Sequence, residues 1–229
     1  MNILGIESSA VSAGAAVVSE GKLISESFLN RGLTHSQTLM PLVDAALKNA
    51  GMTVEDIDLI AVSAGPGSFT GLRIGVGTAK GLAMPGEKLT AAVSTLLGLA
   101  YNLPDVKGII APIMDARRGE VYNALYKWEN NKLTELVPMR ALPVTELAKE
   151  LSESGAIFVG DGADVHRQTL TDLLGEKAEF APAHLMYQRA ASVAMAAEGM
   201  AGIPADDLLP IYIRKPQAER ELEERENKK

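Results

Sequence analysis

The sequence contains no cysteine, so it can form no disulfide bond, thiolate nucleophile or cysteine-ligated metal site. Its three histidines, His35, His166 and His184, lie far apart, and no pair has the H-x-x-x-H or H-E-x-x-H spacing of a zinc site. No apolar stretch is long enough to span a bilayer, and the N-terminus lacks the basic region and apolar core of a signal peptide. We therefore expect no bound metal and no membrane association.

A basic patch is also missing. The net charge is -7 and the pI is about 5.1, with lysines and arginines scattered along the chain. Freestanding nucleic-acid-binding proteins usually carry such a patch. This composition is typical of a soluble cytoplasmic protein. With 47% hydrophobic residues, the 229 residues are enough for one large domain or two small ones.

Glycine is concentrated in the segment 65–82, which begins as a turn and continues as a predicted helix. Small residues recur there at every fourth position, on one face of the helix: Gly67, Gly71, Gly75, Ala79 and Ala83. Each interior glycine costs a helix about 1 kcal/mol relative to alanine, so the row indicates close approach by another backbone.

Three interpretations of this row remain open: packing against another helix of this chain or of a partner, contact with a phosphate, or a tight helix-on-sheet contact within one domain. The segment does not match a Walker A loop, because Lys80 is followed by Gly81. It also misses the dinucleotide fingerprint G-x-G-x-x-G, because the last glycine comes one residue too late.

The order of predicted elements repeats itself. Strands at 3–6, 12–19 and 23–28 are followed by a helix at 36–50, a strand at 59–63, the glycine-rich helix, a strand at 89–93 and a helix to 101. A second set follows, with strands at 109–115, 120–128, 133–139 and 156–160 and helices at 145–151, 165–174 and 187–202. The halves read as two diverged βββαβα repeats. We predict an α/β fold with two lobes, 1–103 and 104–218, and a charged tail, 219–229.

Two such lobes with mixed sheets are the architecture of the actin, sugar-kinase and Hsp70 superfamily (ASKHA), in which each lobe contributes a hairpin to a phosphate-binding cleft. In the first lobe, Glu7, Ser8 and Ser9 occupy that turn. The acid is Glu where Asp is usual, so we predict a vestigial phosphate loop.

The second-lobe turn, 115–119, should be small and rich in glycine, but it contains Arg117 and Arg118. These side chains would crowd a triphosphate held by backbone amides. They either bind an anion on a partner, since arginine suits bidentate phosphate binding, or are solvated turn residues. Asp161 lies at a strand end, where α/β sites often occur, although a turn aspartate is the commoner explanation.

The sequence is identified as a member of the bacterial TsaB (YeaZ) family by its motifs. The resemblance covers nearly the whole chain and rests on five segments: 34–42 (THSQTLMPL), 65–75 (GPGSFTGLRIG), 79–83 (AKGLA), 116–122 (ARRGEVY) and 210–214 (PIYIR).

The resemblance implies a non-catalytic scaffold subunit for N6-threonylcarbamoylation of adenosine 37 in tRNA (t6A). It implies a heterodimer with the catalytic paralogue TsaD, joined by the ATPase TsaE, with tRNA bound through the complex. In that complex Arg117 and Arg118 would contact tRNA, TsaE or neither. No cofactor is then expected on this chain alone, and ATP/ADP and Mg are used by the complex. The alternative is an active nucleotide-dependent ASKHA enzyme or a glycoprotease-like peptidase.

The family's first-lobe helices form the heterodimer surface, and the same surface is expected to form a homodimer when the chain is alone. Carried onto this chain, the partner-binding residues would be His35, Leu39, Leu42, Val43, Ala46, Gly71, Arg73, Ile74, Gly75, Thr78, Ala79 and Leu82. No catalytic residue is expected.

Overall fold

The computed structural model describes residues 1–214 and contains two similar halves. The first half comprises β1 (Asn2–Glu7), β2 (Ala13–Ser19), β3 (Lys22–Leu29), α1 (His35–Ala50), β4 (Leu59–Gly65), α2 (Phe69–Ala83), β5 (Leu89–Ser94) and α3 (Thr95–Tyr101). The second comprises β6 (Ile110–Asp115), β7 (Glu120–Glu129), β8 (Lys132–Pro143), α4 (Val144–Glu150), β9 (Ala156–Val159), α5 (Asp161–Val165), α6 (Arg167–Leu174), β10 (Ala178–Phe180) and α7 (Ala190–Ala197). Short 3₁₀ turns occupy Val54–Asp56, Met84–Gly86, Gly175–Lys177, Ala183–Leu185 and Ala205–Asp207.

The two sheets have the same topology. The first has the order β3-β2-β1-β4-β5 and the second β8-β7-β6-β9-β10. In each, the first three strands are antiparallel, and the later two join in parallel. The predicted ASKHA-like α/β fold built from two diverged repeats is therefore confirmed. None of the helices in the described part of the chain combines the length and apolar character needed to cross a membrane.

The first-lobe elements follow directly from their residue patterns. Strands β1, β2 and β4 are apolar runs that are buried along almost their whole length. Helix α1 buries Leu39, Val43, Ala46 and Leu47, spaced to form one face. It ends at Gly51, whose left-handed backbone (φ 67°) closes the last turn.

Elements of the second half return to the first lobe. Helix α7 packs on β1, β2 and β4, where Val193 and Ala194 share a core with Ile3 and Val93. Conversely, Leu96 and Leu99 of α3 join the core of the second sheet. The predicted boundary between 1–103 and 104–218 therefore needs correction, because a segment from each side packs with the other lobe. The predicted tail, 219–229, lies outside the described residues.

Three local predictions also differ from the structure. The short strand β10 was not predicted, because three residues carry too little periodicity to be recognised. The predicted helix over 165–174 corresponds to α6, Arg167–Leu174, and the short helix α5 before it, Asp161–Val165, was not predicted. The predicted helix over 187–202 is shorter, since α7 spans only Ala190–Ala197.

Candidate functional site

A cleft of about 400 Å³ separates the two lobes. It lies at the carboxyl ends of β1, β4, β6 and β9, where open α/β sheets usually bind ligands. Loops from both lobes line it: Ser9, Ala10, Val11, Gly67, Ser68 and Phe69 from the first, and Met114, Asp115, Ala116, Arg117, Tyr122 and Asp161 from the second. The position is the one predicted from the sequence for the ASKHA cleft.

Glu7 does not line this cleft. Its side chain is buried, and its Oε1 accepts hydrogen bonds from the backbone N–H and the hydroxyl of Ser9, both at 2.6 Å. Its other oxygen accepts a hydrogen bond from the Ser63 hydroxyl. Burial raises the pKa of Glu7 above its ordinary value, although these hydrogen bonds oppose the change. The acid therefore supports its own loop rather than the cleft.

The two serines of the predicted phosphate loop bond to α2. The Ser8 hydroxyl donates to the carbonyl of Gly71 at 2.9 Å. The carbonyl of Ser9 accepts the N–H of Ser68, the N-cap residue of α2, at 2.7 Å. Of the three predicted loop residues, Ser9 alone reaches the cleft. The loop is thus closed onto the N-terminus of α2.

The row of small residues on α2 faces this loop. A Cβ atom on Gly67 would clash with the carbonyl oxygen of Ser9, and one on Gly71 with that of Ser8. A Cβ on Gly75 would clash with the Ser8 hydroxyl, and Ala79 is completely buried. The approaching backbone is therefore the chain's own β1–β2 loop. The prediction that Gly71, Gly75 and Ala79 contact a partner needs correction, because they pack inside the first lobe.

The other predicted partner-binding residues divide by exposure. Three are buried in the core under α1: Leu39, Val43 and Ala46. Four are half-buried on α1 or α2: Leu42, Ile74, Thr78 and Leu82. Arg73 is exposed, and its Nε donates to the Tyr212 hydroxyl at 3.1 Å. The half-buried His35 has its Nε2 2.7 Å from the carbonyl oxygen of Ala10, which ties α1 to the β1–β2 loop.

Two further glycines of α2, Gly77 and Gly81, have a different environment. They are exposed, and a Cβ atom on either would meet no atom within 4 Å. The packing of this chain does not require glycine at these positions. These two glycines were not among the predicted site residues, because they lie outside the row from Gly67 to Ala83. Their own i, i+4 spacing is visible in the sequence.

In the second lobe, the turn after β6 contains Arg117, which lines the cleft, and its exposed neighbour Arg118. Both arginines have left-handed backbones, with φ values of 69° and 55°, and Gly119 follows with 78°. The Arg117 N–H donates to Oδ1 of Asp115 at 3.0 Å. Its guanidinium lies 3.6 Å from the other oxygen of Asp115, and its side chain is 85% exposed.

A buried polar network connects the two lobes behind the cleft. The side-chain amide of Gln188 donates to Asp161 at 2.6 Å, and the hydroxyl of Ser12 donates to the carbonyl of Gln188 at 3.1 Å. Burial raises the pKa of Asp161. Nε2 of the buried His166 lies 3.6 Å from Asp115. Of these residues, only Asp161 was recognised from the sequence as a possible site residue. The hydrogen bonds of this network could not be predicted, because its members are far apart in the chain.

The segment 210–214 crosses between the lobes. The Ile211 N–H donates to the carbonyl of Ala64 at 2.7 Å, next to the cleft loop of the first lobe. The ring of Tyr212 stacks on Phe69 with centroids 4.6 Å apart. Arg214 then donates to Glu120 of the second lobe at 2.6 Å. This segment, which carries one of the family motifs, therefore fastens the lobes together.

The residues of the cleft differ from those expected around a magnesium nucleotide. The Ser9 N–H donates to Glu7, and the Glu7 carboxylate is buried and does not line the cleft. Arg117 and Arg118 replace the small residues expected in the second-lobe turn. Within residues 1–214, no group of three or more His, Asp or Glu side chains is arranged to hold a metal ion.

Known proteins resemble this chain along most of its length. The sequence profile of the family described as "TsaD: tRNA N6-adenosine threonylcarbamoyltransferase" matches residues 29–221. The tRNA threonylcarbamoyladenosine biosynthesis protein TsaB of Bacillus subtilis is 35% identical over 221 residues, which cover 96% of each chain. A tRNA N6-adenosine threonylcarbamoyltransferase of Brucella ovis is 34% identical over 50% of this chain and 37% of its own length.

The structure of YeaZ from Pseudomonas aeruginosa superposes with a TM-score of 0.77 at 26% identity, covering 92% of this chain and 99% of that one. The sequence and structural similarities agree, and together they cover both lobes. The chain therefore belongs to the TsaB family, within the wider domain family that takes its description from TsaD.

Proposed function

We propose that this chain is a non-catalytic subunit in the formation of threonylcarbamoyladenosine in tRNA. The names of its TsaB relatives support the pathway. The observation that carries the non-catalytic role is the hydrogen bond from the Ser9 N–H to Glu7. In this bond a backbone donor of the predicted phosphate loop is occupied by the acid of the same loop. Catalysis then belongs to a TsaD-like paralogue, which this chain binds and supports.

The exposed face of α2 and the neighbouring α1 is the proposed surface for that paralogue. Gly77 and Gly81 present no side chain on this face. Glycine at these positions destabilises the helix of the free chain, and no contact within the chain requires it there. A partner helix that lies close to these glycines would compensate for that loss. Arg73, Thr78 and Leu82 border the glycines on α2.

In this proposal the chain binds no cofactor by itself, and ATP/ADP and Mg are used by the complex, which includes a TsaE-like ATPase. Transfer RNA binds through the assembled complex, which places the chain in the cytoplasm. Without its partner, the same exposed face forms a homodimer.

A reconstitution experiment tests this proposal. The proteins needed are this chain, the TsaD and TsaE proteins of the same organism, and an unmodified tRNA with threonylcarbamoyl adenylate as donor. We expect t6A to form only when this chain is present, and Glu7→Gln to retain full activity. Magnesium-dependent ATP hydrolysis or peptidase activity by the chain alone, lost in Glu7→Gln, would support the alternative of an active enzyme.

A further inference from the structure

The turn between β6 and β7 places arginine where the backbone favours other residues. Arg117 and Arg118 have positive φ values, which a side chain with a Cβ makes unfavourable. Two other hairpin turns of this chain have the same backbone signs, and they use Glu20–Gly21 and Asn130–Asn131. Glycine and asparagine are the residues such turns prefer. Arginine at both positions is thus not explained by the turn.

Contacts within the chain do not explain the arginines either. Arg117 is largely exposed, and the one ion pair of its guanidinium within residues 1–214 is the 3.6 Å pair with Asp115. Arg118 is exposed, and it makes no hydrogen bond or ion pair with any residue in 1–214. Two consecutive arginines are therefore exposed in a turn that contributes Arg117 to the lining of the cleft.

Three carboxylates near this turn have partners within residues 1–214, and one of them, Asp115, pairs with Arg117. Asp115 accepts the N–H of Arg117 and lies beside His166. Asp161 accepts the amide of Gln188 inside the lobe, and Glu120 accepts Arg214. Within the described residues no carboxylate pairs with Arg118, so this side of the turn carries positive charge there, although the chain as a whole has a net charge of -7.

We propose that Arg117 and Arg118 form a phosphate-binding turn that contacts the sugar-phosphate backbone of tRNA in the assembled complex. This inference rests on the proposed function. Guanidinium groups bind phosphate oxygens bidentately. Both arginines are exposed to solvent, whereas Asp115 and Asp161 in the cleft lining disfavour a free nucleotide inside. A polyanion that lies across the turn fits this arrangement of charges.

The test uses the complex of this chain with its catalytic partner and an unmodified tRNA transcript. The double variant Arg117→Asn, Arg118→Asn removes both charges and installs the residues found at 130–131. The control, Lys107→Asn with Lys132→Asn, removes two exposed charges near the opposite end of β7. Binding is measured by fluorescence anisotropy at several salt concentrations, and assembly by mass photometry of the same samples.

We expect the arginine variant to assemble normally, to melt at the same or a higher temperature, and to bind tRNA more weakly. The slope of log K against log salt should decrease by about 2, one for each phosphate contact, while the control changes neither. The single variant Arg118→Glu should weaken tRNA binding further than Arg118→Asn, and it removes no contact within residues 1–214.

Unchanged tRNA affinity and salt slope in an assembled variant would overturn the phosphate-binding turn and leave the proposed function intact. Weaker binding of magnesium ATP with unchanged tRNA binding would also overturn it, in favour of a nucleotide site. If the wild-type chain forms no complex, the proposed function itself fails, and the inference fails with it.

Discussion

The hydroxyl of Ser8 donates a hydrogen bond to the carbonyl of Gly71 at 2.9 Å, which fastens the end of β1 to the first turn of α2. This contact requires that α2 carry no side chain where the loop crosses it. Gly75, one turn further along, also faces Ser8. Two glycines on another face of the same helix, Gly77 and Gly81, face open space.

The first prediction compares these two pairs of glycines. Gly75→Ala should lower the free energy of unfolding by about 1–3 kcal/mol, because the new methyl group overpacks against Ser8. Gly77→Ala should raise it by about 0.5–1 kcal/mol, because alanine favours the helix and meets no neighbour there. Urea unfolding at several protein concentrations measures both and separates any contribution of the homodimer. Equal effects at the two positions would show that the orientation of α2 is wrong.

The second prediction concerns the pH dependence of stability. Burial raises the pKa of Glu7 above 4.5 in the folded chain, so the folded state retains a proton that the unfolded state releases. The contribution of Glu7 to the free energy of unfolding is therefore greatest below pH 4.5 and decreases as the pH rises through the folded pKa. Glu7→Gln cannot ionise and should escape this loss.

Unfolding free energies of wild type and Glu7→Gln, measured from pH 4 to pH 8, test this effect. The stability of the variant relative to wild type should increase with pH, and all other titrating groups cancel in the difference. A difference that stays constant over the whole range would mean that the carboxyl group is not buried as described.

The third prediction concerns the segment that joins the lobes. Tyr212→Ala should lower the free energy of unfolding by about 1 kcal/mol, because it removes the stacking on Phe69 and the acceptor of Arg73. Tyr212→Phe keeps the stacked ring and loses only an exposed hydrogen bond, so it should cost much less. Urea unfolding separates the two variants. Equal losses would assign the contribution to the hydroxyl group instead of the ring.

Most of the fold could be predicted from the sequence because its signals are local and repeated. Apolar runs identified β1, β2 and β4, and the helical spacing from Leu39 to Leu47 with its stop at Gly51 identified α1. The order of elements revealed the duplication. The position of α7 on the first sheet could not be predicted in this way, because it depends on contacts between distant parts of the chain.

The site was less predictable, because spacing does not reveal direction. The sequence placed small residues on more than one face of α2, and only the structure shows that Gly75 faces the chain's own loop while Gly77 faces outwards. Likewise, Glu7 stands where the cleft acid was expected, but whether it serves the cleft or its own loop depends on the Ser9 and Ser63 contacts. The directions of these glycines and of the Glu7 side chain are set by tertiary packing, which the spacing of residues in the sequence does not reveal.

The central claim is that the exposed face of α2 binds a catalytic paralogue. The most direct measurement is size-exclusion chromatography with light scattering of this chain, alone and mixed with the TsaD protein of the same organism. The wild-type chain should form a one-to-one complex that replaces any homodimer. The double variant Gly77→Leu, Gly81→Leu should stay folded but fail to associate, because its new side chains occupy the space of the partner helix. A complex that forms equally well with the variant, or no complex with the wild type, would contradict the claim.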